Sequence, residues 1–523
     1  MNKFKLFPLA LAAFAFSACT SEDAVENNPN VEGVKSYVAV NINNVGVGGT
    51  RADGATYENG TAAESKIKKV RFYFFTQGDK PYKMADGTNY RDIENPAGTD
   101  KANDGTGNVE HITDAMIVID GVNKTYPESM MAVVNPETIE AGQLTDFMDK
   151  DAVKAVIAKQ NFKGQSADAS EFVMTSSVYA NGTDVCWTSD ITGHVAQSKE
   201  AAENNPVDIY VERVAAKITS TANGATAELF PVSVGETATG TQIFAKILGW
   251  GIARENTEAN LIKKIEPAAW TNIGFNWNDA NFMRSYWETT PENFGEYKSW
   301  DEYTSTKLGN VYYTAPNTSY AETNRPLYVA AAQLVDADGN ALEVAKYRGV
   351  EYLGEDVVKN VILKENKNFY KKIVTTAGTT IKSLEASDIE FVVDATKSYQ
   401  VKAKLVDGVV VYKDVNGIDE EATAEANASI GKENATIYKN GMTYYWTSVK
   451  HLGATKSKSE FGMVRNHFYK VDVTSIKGLG TAVYNPYNKF EPVTPEDDPH
   501  TYLAARINVL SWRVVGQTVE LGK

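Results

Sequence analysis

Cysteine is almost missing from this 523-residue chain: Cys19 and Cys186 are its two thiols, so no intrachain disulfide framework can hold the fold and packing must. Cys186, beside Trp187, reads as a small buried hydrophobe. Histidine is sparse and scattered, at His111, His194, His451, His467 and His500, with no HExxH and no pair at ligand spacing, which excludes the common zinc arrangements. The sequence also lacks a GxSxG elbow, a Walker loop and a strand-linked GxGxxG; Gly46 to Gly49 opens no helix. Asp336-Ala337-Asp338-Gly339-Asn340 begins like a calcium loop but has no terminal Glu at the needed distance, and it reads as a hairpin turn. Among 67 acidic residues nothing singles out a pair. No cofactor, metal or enzymatic chemistry is indicated. Excess positive charge is missing too: the formal net charge is −15, which excludes the basic face that nucleic-acid binding needs.

Long apolar runs are confined to the N-terminus. Lys3 and Lys5 precede the apolar stretch Leu6 to Phe16, interrupted by Pro8, and Ser17-Ala18-Cys19 follows. This is a secretory signal, residues 1–19, ending in a lipoprotein box in which Cys19 is acylated and becomes the new N-terminus. Phe16 stands where the commonest box has Leu. The acidic Thr20-Ser21-Glu22-Asp23 resembles the surface-export signal of some Gram-negative lipoproteins. The expected membrane partner is the outer membrane, reached through this lipid.

What is abundant is β pattern. Val, Thr, Tyr and Phe alternations separated by Gly, Asn and Asp recur throughout. Lys66 to Phe74 alternates with Val70, Phe72 and Phe74 inward, and Ile209 to Ile218 reads as one central strand closing the first half, with a domain boundary near Ala222. Asp338-Gly339, Asp407-Gly408 and Asn440-Gly441 carry hairpin-turn chemistry. Residues 143–159 are the exception, with helical spacing and Asp149 or Asp151 as a cap.

One pattern occurs twice. Ser36-Tyr37-Val38-Ala39-Val40-Asn41-Ile42-Asn43 near the start matches Thr501-Tyr502-Leu503-Ala504-Ala505-Arg506-Ile507-Asn508 near the end. Val38, Val40 and Ile42 share one face of the first run; Leu503, Ala505, Ile507 and Val509 share one face of the second. After the first run comes the glycine-rich Val45 to Gly54, with Arg51 as its single basic residue, a site where a trypsin-like, Arg-specific protease can cut before Ala52. Before the second comes a spacer holding Pro486, Pro492, Pro495 and Pro499, and beyond it the inward phase changes at Ser511 so that Trp512 and Val514 follow. Two strands of one pattern fit one slot, and a tail with no evident partner in its own body reads as something handed to another copy. The plainer alternative is two ordinary strands of one sheet.

Taken in order, the lipobox at Cys19, Gly48-Gly49-Thr50-Arg51-Ala52-Asp53-Gly54, Val211-Glu212-Arg213, Val464-Arg465-Asn466-His467-Phe468-Tyr469, Ser475 to Gly480 and Val509-Leu510-Ser511-Trp512-Arg513-Val514 resemble the major fimbrilins of the type V pilus, closest to the short-fimbria (Mfa-type) major subunit family. The resemblance implies an all-β fold of two transthyretin-like β-sandwich domains with a minor helical element. It also implies export as a lipoprotein, cleavage between Arg51 and Ala52, and insertion of a C-terminal strand into the next subunit of a surface fimbria that supports adhesion. The expected parts are a signal peptide (1–19), a propeptide with the removable strand Val38, Val40 and Ile42 (20–51), an N-terminal sandwich (52–222), a C-terminal sandwich (223–484), and a spacer with donor strands (485–523). Expected partners are other copies of the chain head-to-tail and anchor and tip subunits. The alternatives are a tip or anchor subunit of the same pilus, or a glycan-binding surface lipoprotein using its many Tyr and Trp rings for stacking.

Overall fold

β-branched and aromatic residues alternating over short runs build an all-β protein with few, short helices. The computed structural model describes residues 34–45, 56–57, 60–96, 98–100, 109–121, 125–139, 142–158, 164–165, 171–236, 240–493, 502–510 and 513–517. Five strands matter most: Val34–Val45 (β1), Val109–Gly121 (β2), Val207–Arg213 (β3), Phe468–Lys477 (β4) and Tyr502–Leu510 (β5).

The first sheet runs Tyr90–Glu94, Lys69–Phe75, Ser129–Val134, Met174–Ser176, β3, β1, β2, Gly98–Asp100. Lys69–Phe75, Ser129–Val134 and Met174–Ser176 are largely buried on both faces. Val70, Phe72 and Phe74 enter one apolar cluster with Val38, Val40, Ile42 and Ile117. Tyr73 and Phe75, read from the alternation as outward, enter another with Trp270, Trp287 and Leu261. Residues from elsewhere in the chain, including Met148 beside Tyr73 and Trp187 beside Phe75, cover the second face, which alternation within one strand cannot reveal.

The second sheet runs Thr56–Tyr57, Arg513–Gln517, β5, β4, Ala216–Ala222, Val311–Thr314, Gly164–Gln165. A third, with Leu229–Glu236, Gln242–Ala253, Leu327–Val335, Met442–Ser448 and Thr481–Ala482, shares its core, including Ile218, Val471, Val473, Ile243, Trp250 and Tyr328. Between the hydrogen-bonded neighbours Leu327–Val335 and Met442–Ser448 the chain makes an excursion with its own cluster, built on Ala345, Ile362, Phe391, Val401 and Ile430.

Several local expectations change. Ile209 to Ile218 is two strands, not one: β3 belongs to the first sheet and Ala216–Ala222 to the second, and the chain crosses at Val214-Ala215. Gly339, Gly408, Asn440 and Gly441 all have positive φ, as the turn chemistry requires. Only the first of these turns is closed by a bridge, Val335 to Ala341. Asp407-Gly408 and Asn440-Gly441 carry the chain between sheets, because a dihedral fixes the turn and not the next partner. The expected helix shrinks to Lys150–Lys154, capped by Asp149 accepting from Ala152 N at 2.8 Å. Helices at Lys199–Glu203, Trp300–Ser305, Glu355–Glu365 and Thr423–Ile430 join it. Cys186 is half-buried rather than buried. The spacer begins docked: Phe490 is buried with Tyr303 and Tyr444, and Pro486 O accepts from Trp300 N at 3.2 Å.

Where the chain crosses between sheets, charged groups are buried together. Arg465, fully buried, donates from Nε to Glu288 Oε2 at 2.9 Å and from its other guanidinium nitrogens to Leu261 O and Asn260 O at 3.0 and 2.6 Å. Arg213 donates to Glu64 O at 2.9 Å and Ser65 Oγ at 3.0 Å, and reaches Asn466 Oδ1 at 3.4 Å. Lys217 and Tyr313 both hold the Glu64 carboxylate, and Lys263 pairs with Glu212 at 2.8 Å. Burial would raise the Glu64 pKa, but Arg213 and Lys217 outweigh it and hold the carboxyl below its ordinary range. His467 Nδ1 lies 2.7 Å from Arg465 O, so a neutral ring donates there. Burial, then the neighbouring His451 and Arg284, push the His467 pKa well down.

Two outcomes follow from this cluster. Arg465→Ala leaves Glu288 buried without its cation and is expected to lower unfolding stability by about 3–5 kcal/mol in denaturant titrations. His467 stays neutral when folded but takes a proton near its ordinary 6.5 when unfolded, so stability is full above that pH and falls as pH drops below it. Thermal melts from pH 7.5 to pH 5 are expected to show this decline, with a shallower slope in His467→Gln.

Candidate functional site: the groove occupied by the first strand

β1 is rich in Val and Ile at alternate positions, which suits a strand whose one face is fully buried. Both of its edges are paired. Along one it runs antiparallel to β2, from Val34 opposite Gly121 to Val45 opposite Val109, with a register shift between Asn44 and Val45. Along the other it runs parallel to β3, from Val40 opposite Val207 to Asn44 opposite Val211. Before β3 begins, Tyr37 exchanges hydrogen bonds with Ala196 at 2.8 and 2.9 Å.

Val38, Val40 and Ile42 are at most 1% exposed and pack with Phe72, Phe74, Ile117 and Ile209. Each contributes roughly 1.5–3 kcal/mol by burial. The expected inward face is therefore the observed one. On the outer face Ala39 is also buried, with the short helix Lys199–Glu203 packed against β1. Asn41 donates from Nδ2 to Asp208 Oδ1 at 3.1 Å. Taking β1 away would open a slot walled by β2 and β3, with a row of unpaired N–H and C=O groups on each wall and an apolar floor.

The tail is not without a partner in its own body, contrary to the expectation from sequence. β5 lies antiparallel to β4, with Val471 opposite Ile507, Val473 opposite Ala505, Ile476 opposite Leu503 and Tyr469 opposite Val509. Arg513–Gln517 folds back on β5, and Thr56–Tyr57 pairs with it through Thr56 opposite Val514. The physical reason is the edge of β4. Its other side takes Ala216–Ala222 in parallel, and the tail satisfies the side left over.

The matching runs thus occupy different sheets of one chain, each with its own neighbours. Leu503, Ala505, Ile507 and Val509 lie in β5 and Val514 in Arg513–Gln517, while Cys19, Arg51, Ala52 and Trp512 lie outside the described residues. Aligned on each other, the runs exchange Val38 for Leu503, Val40 for Ala505 and Ile42 for Ile507, one side-chain carbon fewer in total. Volume-conserving apolar swaps of this kind are well tolerated.

Sequence reasoning missed the walls of the groove. The signal for β2 was the alternation across Thr113, Ala115, Ile117 and Ile119, all of which are buried. Elsewhere, a cleft of about 580 Å³ lies between Val393–Thr396 and Asn485–Glu491. Its aromatic residue, Phe490, is 2% exposed and offers no open ring for sugar stacking.

No curated protein matches the chain. Among solved structures it is similar to a putative cell adhesion protein from Bacteroides eggerthii (11% identity, 93% of this chain and 98% of that one, TM-score 0.39). It is also similar to a fimbrilin from Porphyromonas gingivalis (13% identity, 92% and 98%, TM-score 0.38) and to the tip fimbrial protein Mfa3 of that organism (10% identity, 90% and 99%, TM-score 0.27). Residues 436–518, which include β4, β5 and Arg513–Gln517, match the model of the family described as major fimbrial subunit protein type IV, fimbrillin, C-terminal. Through that segment the chain is similar to the C-terminal part of the fimbrillins.

Proposed function

We propose that this protein is a fimbrillin and a stalk subunit of a surface fimbria: it is exported as a lipoprotein acylated at Cys19, cleaved between Arg51 and Ala52, and polymerised by strand exchange. The observation that carries the reading is β1 itself, an interior strand joined to the rest of the chain through the stretch that contains Arg51. An interior strand cannot leave by fluctuation alone, since both of its ladders and its apolar face must be given up together. Cutting the chain at Arg51 makes β1 a separate segment, and its loss becomes irreversible once another strand takes the slot.

In this scheme residues 20–51 are the propeptide, and the tail pairing of β5 with β4 is the resting place of the donor strand before exchange. Leu503, Ala505 and Ile507 of one copy take the positions of Val38, Val40 and Ile42 in the next. Each copy then carries one open groove and one free tail, so the contact does not close on itself and grows a head-to-tail filament. A tip or anchor subunit needs only half of this exchange, whereas this chain carries both a strand to remove and a tail to give. The precursor meets an Arg-specific protease, the outer membrane through its lipid, and accessory subunits at the fibre ends.

Fibres purified from cells are expected to begin at Ala52 by N-terminal sequencing, and Arg51→Ala is expected to leave unpolymerised precursor; abundant fibres from that variant would overturn the scheme. Deleting 502–523 is expected to yield cleaved monomers that accept a tail but give none, so that adding them in excess to wild-type subunits shortens fibres in electron micrographs.

A further inference from the structure

The outer face of the groove carries two aspartates, one on each wall beside the resident strand. Asn41 of β1 lies directly opposite Asp208 of β3 on one side and directly opposite Asp114 of β2 on the other. Its amide donates to Asp208 at 3.1 Å, and both aspartates are exposed. When Ser36 to Asn43 is aligned with Thr501 to Asn508, the residue at the Asn41 position is Arg506. The same arginine lies opposite an aspartate, Asp472 of β4, in the tail's own sheet.

We infer that Asp114 and Asp208 form the register-reading element of the groove, and that the incoming strand is a second copy's tail seated so that Arg506 lies between them. This rests on the strand-exchange reading and adds to it the register, the direction and the residues that choose the partner. The resident strand offers a neutral amide between two carboxylates, and the donor offers a cation. Exchange therefore trades a neutral amide for a cation between the two carboxylates, a charge-assisted contact with both walls. A slip by one residue turns the apolar face of the donor outward. Slips by two residues place Ala504 or Asn508 between the aspartates and leave Arg506 beside the wrong neighbours. The apolar pattern alone tolerates two-residue slips, so charge is what separates them. Because the aspartates are exposed, the contact is screened by salt, and its part is to select register and speed encounter more than to hold the joint.

The test uses full-length chains assembled in cells, with Cys186→Ser as background. In the inferred register the donor's Ala505 takes the place of Val40, which lies opposite Ala115. Fibres from Ala505→Cys with Ala115→Cys are expected to show intermolecular disulfide ladders on non-reducing gels, and fibres from Ala505→Cys with Ile117→Cys or Thr113→Cys are not. Asp114→Asn with Asp208→Asn is expected to slow assembly roughly tenfold at low salt and to spread the cross-links to the shifted positions. Arg506→Glu is expected to slow it at least as much, and Asp114→Lys with Asp208→Lys in the acceptor to restore it. Fibres that cross-link only at a shifted position, or assemble at unchanged rates in the charge variants, would overturn the register while leaving strand exchange standing. Fibres with no cross-link at any of the three positions would overturn strand exchange itself.

Discussion

β1 hydrogen-bonds along both edges and buries Val38, Val40 and Ile42 against the same floor that supports Phe72 and Phe74. A strand so placed cannot be lost in part. Removing it exposes the polar rows of β2 and β3 and an apolar strip between them, a combination that neither water nor a loop satisfies. Only another strand of like alternation and volume does. The run at Thr501–Asn508 repeats the alternation of Ser36–Asn43, and its residues aligned with Val38, Val40 and Ile42 hold one side-chain carbon fewer in total.

The second organising feature is the buried polar cluster where the chain passes between sheets. Val211-Glu212-Arg213 and Val464 to Tyr469, far apart in sequence, meet there: Arg213 reaches Asn466, Asn466 N donates to Ala215 O, and Lys217 N donates to His467 O. Buried ions add little net stability compared with apolar substitutes, but each is costly to orphan. They favour one arrangement of the crossing over its neighbours, because a slipped arrangement leaves several charges without partners. Two of the six motifs that carried the family resemblance therefore meet at this junction, and the first of them lies in β3, a wall of the groove.

The fold class was legible because alternation and turn residues are local. Val38, Val40 and Ile42 were placed on one face by a period of two, and that face is buried; of the two expected caps, Asp149 or Asp151, Asp149 is the one observed. What sequence could not supply is the identity of neighbours. Tyr73 and Phe75 looked outward because the cover of the second face comes from other parts of the chain, Met148 and Trp187 among them. Val214-Ala215 looked like strand interior because both strands it joins are apolar and alternate. The tail looked unpartnered because the free edge of β4 is a property of the sheet and leaves no mark in the tail's own residues. Asp114 and Asp208 looked like ordinary surface acids until the register set Asn41 between them.

The excursion between Leu327–Val335 and Met442–Ser448 has an evolutionary consequence. Gln333 and Met442 are cross-strand partners, so the excursion leaves and re-enters the third sheet one strand spacing apart, about 4.8 Å. Closing a longer or shorter loop over so small a gap changes its cost only slowly with length. The intervening residues carry their own core and contribute no strand to the groove. Substitutions and insertions are thus free to reshape that lobe and its exposed face while the pairing of the third sheet and the strands of the groove stay as they are.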